Sequence, residues 1–177
     1  MIRLTRLTTL LLTLTASALV VAGPEAFVPG PVIKDFGRIA PVPDAEAIPQ
    51  DMVIKMAYDV REGGEHSTVN SVFNSAAGLL NTLVASGVEK DRVHLALVIH
   101  GPAYKDILTD KAYGSSNPNG PLVKQLLDNG VRIYYCGQAA VYRDVALSDV
   151  IPGIKFSLSA SAAHAVLQME GYAVRPY

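Results

Sequence analysis

The sequence predicts an α/β fold: one domain built around a mainly parallel, five-stranded sheet. From residue 52 onward, short β-branched runs alternate with segments of helical periodicity, which is the pattern of a parallel sheet crossed by helices. The best of these runs are almost continuously apolar, as strands covered on both faces are. Five such runs in about 125 residues leave no room for a second domain.

Residues 1–22 are predicted to be a secretory signal peptide. Arg3 and Arg6 precede an apolar run from Leu7 to Val21, and small residues lead to a cleavage site after Ala22. An uncleaved anchor is the alternative, but the run is short for a span of about 20 residues and no second span follows. We therefore expect a periplasmic or secreted protein that is not held in a membrane after cleavage.

Charge and cysteine content narrow the function classes. The chain has 15 basic and 16 acidic residues and lacks the basic runs or arginine-rich helices of nucleic-acid-binding proteins, so no nucleic-acid partner is expected. One cysteine in an exported chain excludes an intramolecular disulfide. Cys136 is therefore buried, protected or in chemical use.

Residues 23–50 are predicted to be a proline-rich linker or an arm laid over the domain, which itself spans residues 51–177. The stretch lacks periodicity and contains six prolines: Pro24, Pro29, Pro31, Pro41, Pro43 and Pro49. Residues 36–41 are apolar enough to dock on a surface, but the sequence does not identify that surface.

The first strand is predicted over residues 52–58, and the strongest helix follows it. Ser67 or Thr68 is the expected N-cap, and Gly87 follows the helix end. One face is apolar at helical spacing: Val69, Val72, Phe73, Ala76, Leu80, Leu83 and Val84. For the helix asparagines, Asn70, Asn74 and Asn81, solvent exposure is the commoner situation and contact with a partner or ligand is the alternative.

A central strand is predicted over residues 93–99, ending at His100, and Pro102 suits the first turn of a helix through Leu108. After a turn-rich loop at residues 113–120, a second helix runs from Pro121 to a stop at Gly130. The remaining predictions are strands over residues 131–135, 154–158 and 172–175, and a helix over residues 159–169.

Cys136 follows the third strand, at a corner where ligands of α/β proteins gather. Ligands in open α/β sheets bind beyond the carboxyl ends of strands. If Gly137 and Gln138 open the next helix, its N-terminal partial charge favours a thiolate and makes the sulfur a better nucleophile. The alternative is that Cys136 is a small buried apolar residue, as most unpaired cysteines are.

The sequence lacks the motifs that are typical of several other enzyme and binding classes. The chain lacks the glycine-rich dinucleotide and phosphate-binding motifs, the G-x-S-x-G motif and the C-x-x-C motif. His94 and His100 bracket a strand and would lie roughly 20 Å apart, too far to share an ion. His66 and His164 have no partner at ligand spacing, so neither a metal nor a cofactor is expected.

His100 and Cys136 would open onto the same edge if their strands are neighbours. His100 could then hold or deprotonate the thiol, with Gln138 and the loop containing Asn117 lining the pocket. Equally, His100 could cap its own loop and never meet the sulfur.

Three stretches in this order resemble the DsrE-like family. They are Leu97-Val98-Ile99-His100-Gly101-Pro102-Ala103, Asn117-Pro118-Asn119, and Gly130-Val131-Arg132-Ile133-Tyr134-Tyr135-Cys136-Gly137-Gln138. The likeness covers roughly residues 52–177. It implies a three-layer α/β/α domain and assembly into trimers or hexamers.

The resemblance also implies sulfur-relay chemistry, in which a cysteine placed like Cys136 carries sulfur as a persulfide between a donor and an acceptor protein. A thiolate attacks a sulfane sulfur, holds it as Cys-S-SH and passes it to an acceptor thiol. This chain departs from cytoplasmic relays in its export signal, and Gly137-Gln138 follows the cysteine directly. The rival interpretation is a non-catalytic ligand-binding or assembly module in which Cys136 only packs.

Overall fold

The computed structural model describes residues 23–65 and 67–176. The predicted signal peptide, residues 1–22, lies outside the described residues, and so do His66 and Tyr177. Among the helices that are described, none combines the length and the apolar character needed to cross a membrane.

The described part of the chain forms one five-stranded sheet in which every pair of neighbours is parallel, which confirms the predicted fold class. The strands are β1 (Ile54–Val60), β2 (Val93–Ile99), β3 (Arg132–Cys136), β4 (Lys155–Ser157) and β5 (Ala173–Arg175). Their order across the sheet is β4-β3-β2-β1-β5, so the apolar β2 is central, as its composition predicts. Consequently β3 lies between β2 and the edge strand β4.

Helices cover both faces of the sheet and make the three layers that the resemblance implies. The α-helices are α1 (Ser71–Ala85), α2 (Asp110–Tyr113), α3 (Gly120–Asp128), α4 (Gly137–Tyr142) and α5 (Ala160–Met169). Phe73 and Leu80 of α1 and Leu122 of α3 belong to the larger core cluster on one face. Ala163 and Leu167 of α5 pack with Val98 in the smaller cluster on the other face.

The first long helix begins later than predicted. Asn70, not Ser67 or Thr68, is the N-cap of α1, because its side chain accepts a hydrogen bond from the N–H of Val72. Asn70 is buried and its amide also donates to Asp106. The expectation of a solvent-exposed asparagine is therefore wrong at this position.

Solvent exposure is also wrong for Asn81, which is fully buried under residues 23–50. Its Oδ1 accepts from the backbone N–H of Val32 and Ile33, at 3.1 and 2.9 Å. Its Nδ2 donates to the carbonyls of Ile33 and Gly37, both at 2.9 Å, and of Phe36 at 3.2 Å. One helix amide thus fixes a loop of the proline-rich segment along α1.

The segment after β2 is a 3-10 helix, Gly101–Ile107, where the sequence predicts a helix through Leu108. The N–H of Ala103 donates to the carbonyl of Arg61, the residue after β1, at 3.0 Å. Gly101 has a φ of +57°, and a Cβ there would lie 2.8 Å from Cγ of Arg61. The turn is therefore tied closely to the end of β1.

Candidate functional site

Cys136 is the last residue of β3 and directly precedes α4. Its parallel partner is Ser157 of β4. Only 7 % of the residue is exposed, so most of the thiol is covered although it lies at the carboxyl edge of the sheet. The prediction that Cys136 lies where a strand is followed by a helix is confirmed.

The packing around Gly137 explains why a glycine follows the cysteine. A Cβ at this position would lie 2.5 Å from the backbone oxygen of Ser157, closer than real Cβ atoms approach. Glycine therefore lets the start of α4 pack against the backbone of β4. The close approach fixes the corner on which the sulfur sits.

Alternation along the strands places Cys136 on the α5 face of the sheet. Ile99 and Tyr135 are register partners on β2 and β3, and both lie in the larger core cluster opposite α5. Successive residues of a strand point to opposite faces. Cys136 therefore shares the α5 face with Tyr134, which packs in the smaller cluster.

An acidic residue between two histidines lies at the same carboxyl edge and on the same face. Oδ1 of Asp59 is 3.0 Å from Nε2 of His100 and 2.8 Å from Nε2 of His164. Asp59 lies near the end of β1 beside Val98 of β2, while His100 follows β2 and His164 lies on α5. Three elements that are distant in sequence thus bring these side chains together.

His100 is held by its backbone as well as its ring. Its N–H donates to the carbonyl of Val60 at 3.0 Å, continuing the pairing of β1 with β2 by one residue. Because Ile99 is the register partner of Tyr135, His100 and Cys136 follow next to each other on neighbouring strands. Such strands lie about 4.8 Å apart.

No hydrogen bond joins the Cys136 thiol to His100 within residues 23–65 and 67–176. The imidazole bonds instead to Asp59. Neither contact of the sequence analysis is present among the described residues: the His100 ring forms no hydrogen bond with the thiol and does not cap the turn that follows it, because it bonds to Asp59. A group that bridges the imidazole and the sulfur would have to come from a ligand or solvent.

Gln138 lies on the other side of the corner. Its Nε2 donates to the carbonyl of Leu158 at 3.4 Å. Gln138 also lines an open pocket of about 640 Å³ between α4 and the β4 edge, together with Gly137 and Ser157. It is therefore near the cysteine along the chain and borders the adjoining pocket.

Asn117 is buried, and its side chain organises its own loop. Its Nδ2 donates to the carbonyls of Leu108 at 2.7 Å and Lys105 at 3.3 Å, and its Oδ1 accepts from the N–H of Asn119. Among the described residues, no hydrogen bond connects Asn117 to Cys136 or His100. Its predicted place in a ligand pocket remains a prediction.

A buried polar network continues from Asn119 toward α1. Oδ1 of Asn119 accepts from the N–H of Asn70, whose amide donates to Asp106 at 2.7 Å. Burial raises the pKa of Asp106, although the hydrogen bonds from Asn70 and from the N–H of Gly64 oppose that shift. This network joins the loops after β1 and β2 on the side of the larger core.

Tyr135 is the titratable side chain that precedes the cysteine. Burial raises its pKa to about 12, with Arg143 opposing the shift. Its ring meets that of Phe156 edge to face at 5.4 Å. Because it lies in the larger core, Tyr135 supports β3 from the face opposite the sulfur.

An ion pair between Arg132 and Glu170 lies on the α5 face, at the start of β3. The hydrogen bond to Glu170 is the largest cause that raises the pKa of Arg132, and the same bond lowers the pKa of Glu170. Arg132 also donates to the Tyr134 hydroxyl and lies over the Tyr172 ring at 5.6 Å. These side chains thus lie at the amino-terminal end of the strand that carries Cys136.

Sequence reasoning missed Asp59 and His164. Two signals were available: Asp59 is a carboxylate at the end of a strand, where sites of parallel sheets lie. His164 falls four residues after Ala160 and three before Leu167, on the inward stripe of the last helix. Within the described part of the chain, no three histidine, cysteine or acidic residues are placed to hold a metal ion.

The comparisons with known proteins agree on the family and the fold. The model of the DsrE/DsrF-like family matches residues 55–174. A protein of unknown function from Methanobacterium thermoautotrophicum, MTH1491, superposes with a TM-score of 0.55 at 18 % identity, covering 70 % of this chain and 99 % of the other. The ychN protein from E. coli superposes with a TM-score of 0.53 at 16 % identity and the same coverage. No curated protein matches the sequence significantly.

Proposed function

We propose, from the premise that the chain belongs to the DsrE/DsrF-like family, that it handles sulfane sulfur through Cys136 as a persulfide carrier or sulfurtransferase-like protein. The family is associated with sulfur relay. The observation that carries the proposal for this chain is the position of its single cysteine, at the carboxyl end of β3 beside a carboxylate–histidine cluster.

The chemistry needs one thiol and no cofactor. A thiolate at Cys136 attacks the outer sulfur of a persulfide donor, and the Cys-S-SH product passes that sulfur to an acceptor thiol. The thiol is covered over most of its surface. Transfer therefore requires a donor that reaches the corner between β3 and α4.

Intact mass spectrometry tests the proposal. The purified protein is incubated with glutathione persulfide, and its mass is compared with that of a Cys136→Ser variant. We expect the wild-type protein alone to gain the mass of one or more sulfur atoms. A wild-type protein that gains no sulfur, under conditions in which free cysteine does, would favour the rival binding or assembly module.

The proposal includes export and self-assembly. Large apolar side chains are exposed around the edge strand β4 and its flanking helices: Val141, Tyr142, Leu147, Phe156, Leu158, Val166 and Met169. A short edge strand with exposed apolar neighbours is typical of a surface that becomes buried when two protein chains associate. These features support association between copies of the chain, and the family resemblance implies a trimer or hexamer.

Two measurements test these parts separately. Sedimentation of the mature protein should report a trimer or hexamer, and Leu158→Asp should shift it toward monomer; a wild-type monomer at micromolar concentration would contradict assembly. Fractionation of cells that express the full chain should place a protein beginning at Gly23 outside the cytoplasm. An uncleaved cytoplasmic product would contradict export.

A further inference from the structure

We propose that His100, oriented by Asp59 and His164, is the acid–base group that moves the proton during sulfur transfer at Cys136. The inference rests on the proposed function and adds residues to it. It starts from a geometric observation: two imidazoles bind one carboxylate oxygen at the edge of the sheet where the cysteine lies.

The hydrogen bonds assign the protons on the rings. A carboxylate only accepts, so both Nε2 atoms carry hydrogen and donate to Oδ1 of Asp59. Nδ1 of His164 is buried and has no hydrogen-bond partner among the residues that the structure describes. A second N–H at that atom would be a buried donor without an acceptor, so the arrangement favours His164 with hydrogen on Nε2 only.

This assignment leaves His100 with one free basic nitrogen. Its Nε2 is engaged by Asp59, so Nδ1 is the ring atom that remains to accept a proton. The His100 side chain is 26 % exposed, whereas that of His164 is 15 % exposed. His100 is thus the more accessible of the two imidazoles.

Asp59 and His164 are positioning residues in this arrangement. The carboxylate fixes the ring orientation of His100 and stabilises the cation that forms when Nδ1 takes a proton. His164 donates to the same oxygen from α5 and thereby fixes the carboxylate. The backbone bond from His100 to Val60 and the tight turn at Gly101 fix the backbone of His100.

The proton transfer balances with the sulfur chemistry. Through a bridging water, His100 Nδ1 takes the proton of the Cys136 thiol, and the thiolate attacks the outer sulfur of a persulfide donor, R–S–SH. The Sγ–S bond forms as the donor S–S bond breaks, and the electron pair leaves with R–S⁻. His100 returns its proton to R–S⁻, so the products are Cys-S-SH and R–SH, with no net oxidation or reduction.

Time-resolved intact mass spectrometry with glutathione persulfide tests the roles. His100→Gln keeps an amide donor near Asp59 but removes the basic nitrogen, and we expect sulfur gain to slow by about a hundredfold. His100→Ala should slow similarly and recover when imidazole is added. His94→Gln, which changes a histidine at the opposite end of β2, should load at the wild-type rate.

The positioning residues have their own readout. Asp59→Asn should slow loading at least about tenfold because it removes the charge that stabilises the imidazolium. His164→Leu should slow it more than His164→Gln, which retains a donor. A faster loading rate in His164→Gln than in His164→Leu would show that His164 acts by orienting Asp59 and not only by filling space. Circular dichroism should show that all variants are folded.

The outcomes separate the two proposals. If the wild-type protein loads sulfur and the His100 and Asp59 variants load it as fast as wild type does, the acid–base assignment is overturned while the carrier function stands. Slow loading by His100→Ala that imidazole does not restore also overturns it. If wild-type protein never loads, both proposals fail.

Discussion

Exchanging the Asn81 amide for a carboxylate should release the proline-rich segment from α1. The Asn81→Asp change keeps Oδ1 and its two backbone donors but replaces the N–H groups that face the carbonyls of Ile33, Phe36 and Gly37. A carboxylate oxygen would then point at three carbonyl oxygens. The site is fully buried, so water does not reduce the repulsion.

The magnitude follows from those contacts. The two N–H groups of the amide serve three carbonyls, at 2.9, 2.9 and 3.2 Å, so one N–H is shared, and losing each N–H costs about 1 kcal/mol. An unpaired buried charge adds further cost, and such changes typically destabilise proteins by about 3–5 kcal/mol. Detachment of the segment limits the loss, because its backbone groups can then bind water.

Asn74→Asp is the matched control on the same helix. Asn74 is exposed, and its side chain accepts a hydrogen bond from the N–H of Gly37 at 2.9 Å. Aspartate accepts the same bond and lies near the start of α1, where a negative charge is favourable. We expect its free energy of unfolding to stay within about 0.5 kcal/mol of wild type.

Urea unfolding and limited proteolysis measure the two outcomes. Asn81→Asp should unfold at lower urea concentration and be cut within residues 23–50, whereas Asn74→Asp should do neither. Equal stability of the two variants would refute the assignment of Asn81 as the donor that fixes the segment.

Three further predictions concern the site and its support. Gly137→Ala should cost about 1–3 kcal/mol in urea unfolding because its Cβ would lie 2.5 Å from the Ser157 oxygen, whereas Gly120→Ala, at the first residue of α3 with no atom near its Cβ, should not destabilise. Equal costs would contradict the close packing at the corner. The pKa of the Asp106 carboxyl is raised in the folded protein above its unfolded value of 3.8. The protonated carboxyl therefore contributes its full stability below pH 3.8, and this contribution is lost as the pH rises through the folded pKa. Asp106→Asn should therefore gain stability relative to wild type as pH rises from acid to neutral, and a pH-independent difference would argue against this. Cys136, only 7 % exposed, should react with a bulky disulfide reagent more slowly in the folded protein than in urea, and equal rates would mean that the thiol is not covered.

The sheet could be predicted from the sequence because local patterns of apolar residues indicate its strands. The apolar run of β2 gives its bounds without error, Val93–Ile99. The strand predicted over residues 52–58 begins and ends two residues later in the structure, because Asp59 and Val60 do not continue an obvious strand pattern. Asp59 belongs to the strand through its pairing with Val98 of β2, and its partly buried carboxylate bonds to two histidines from elsewhere in the chain.

The site could be predicted only where chain position determines it. Cys136 follows a strand and precedes a helix, and both facts are local. The meeting of His164 with Asp59 depends on how α5 crosses the sheet, a contact between residues that are 105 positions apart. Asn81 was misjudged for the same reason, since its partners lie 44 to 49 residues away in a segment without periodicity.

Loading followed by discharge tests the central claim most directly. Protein that has gained sulfur from glutathione persulfide is freed of donor, mixed with an acceptor thiol and followed by intact mass. We predict that the added mass leaves the wild-type protein as the acceptor gains sulfur, and that Cys136→Ser neither loads nor donates. A wild-type protein whose mass stays that of the unmodified chain, like the serine variant, would contradict sulfur handling at this cysteine.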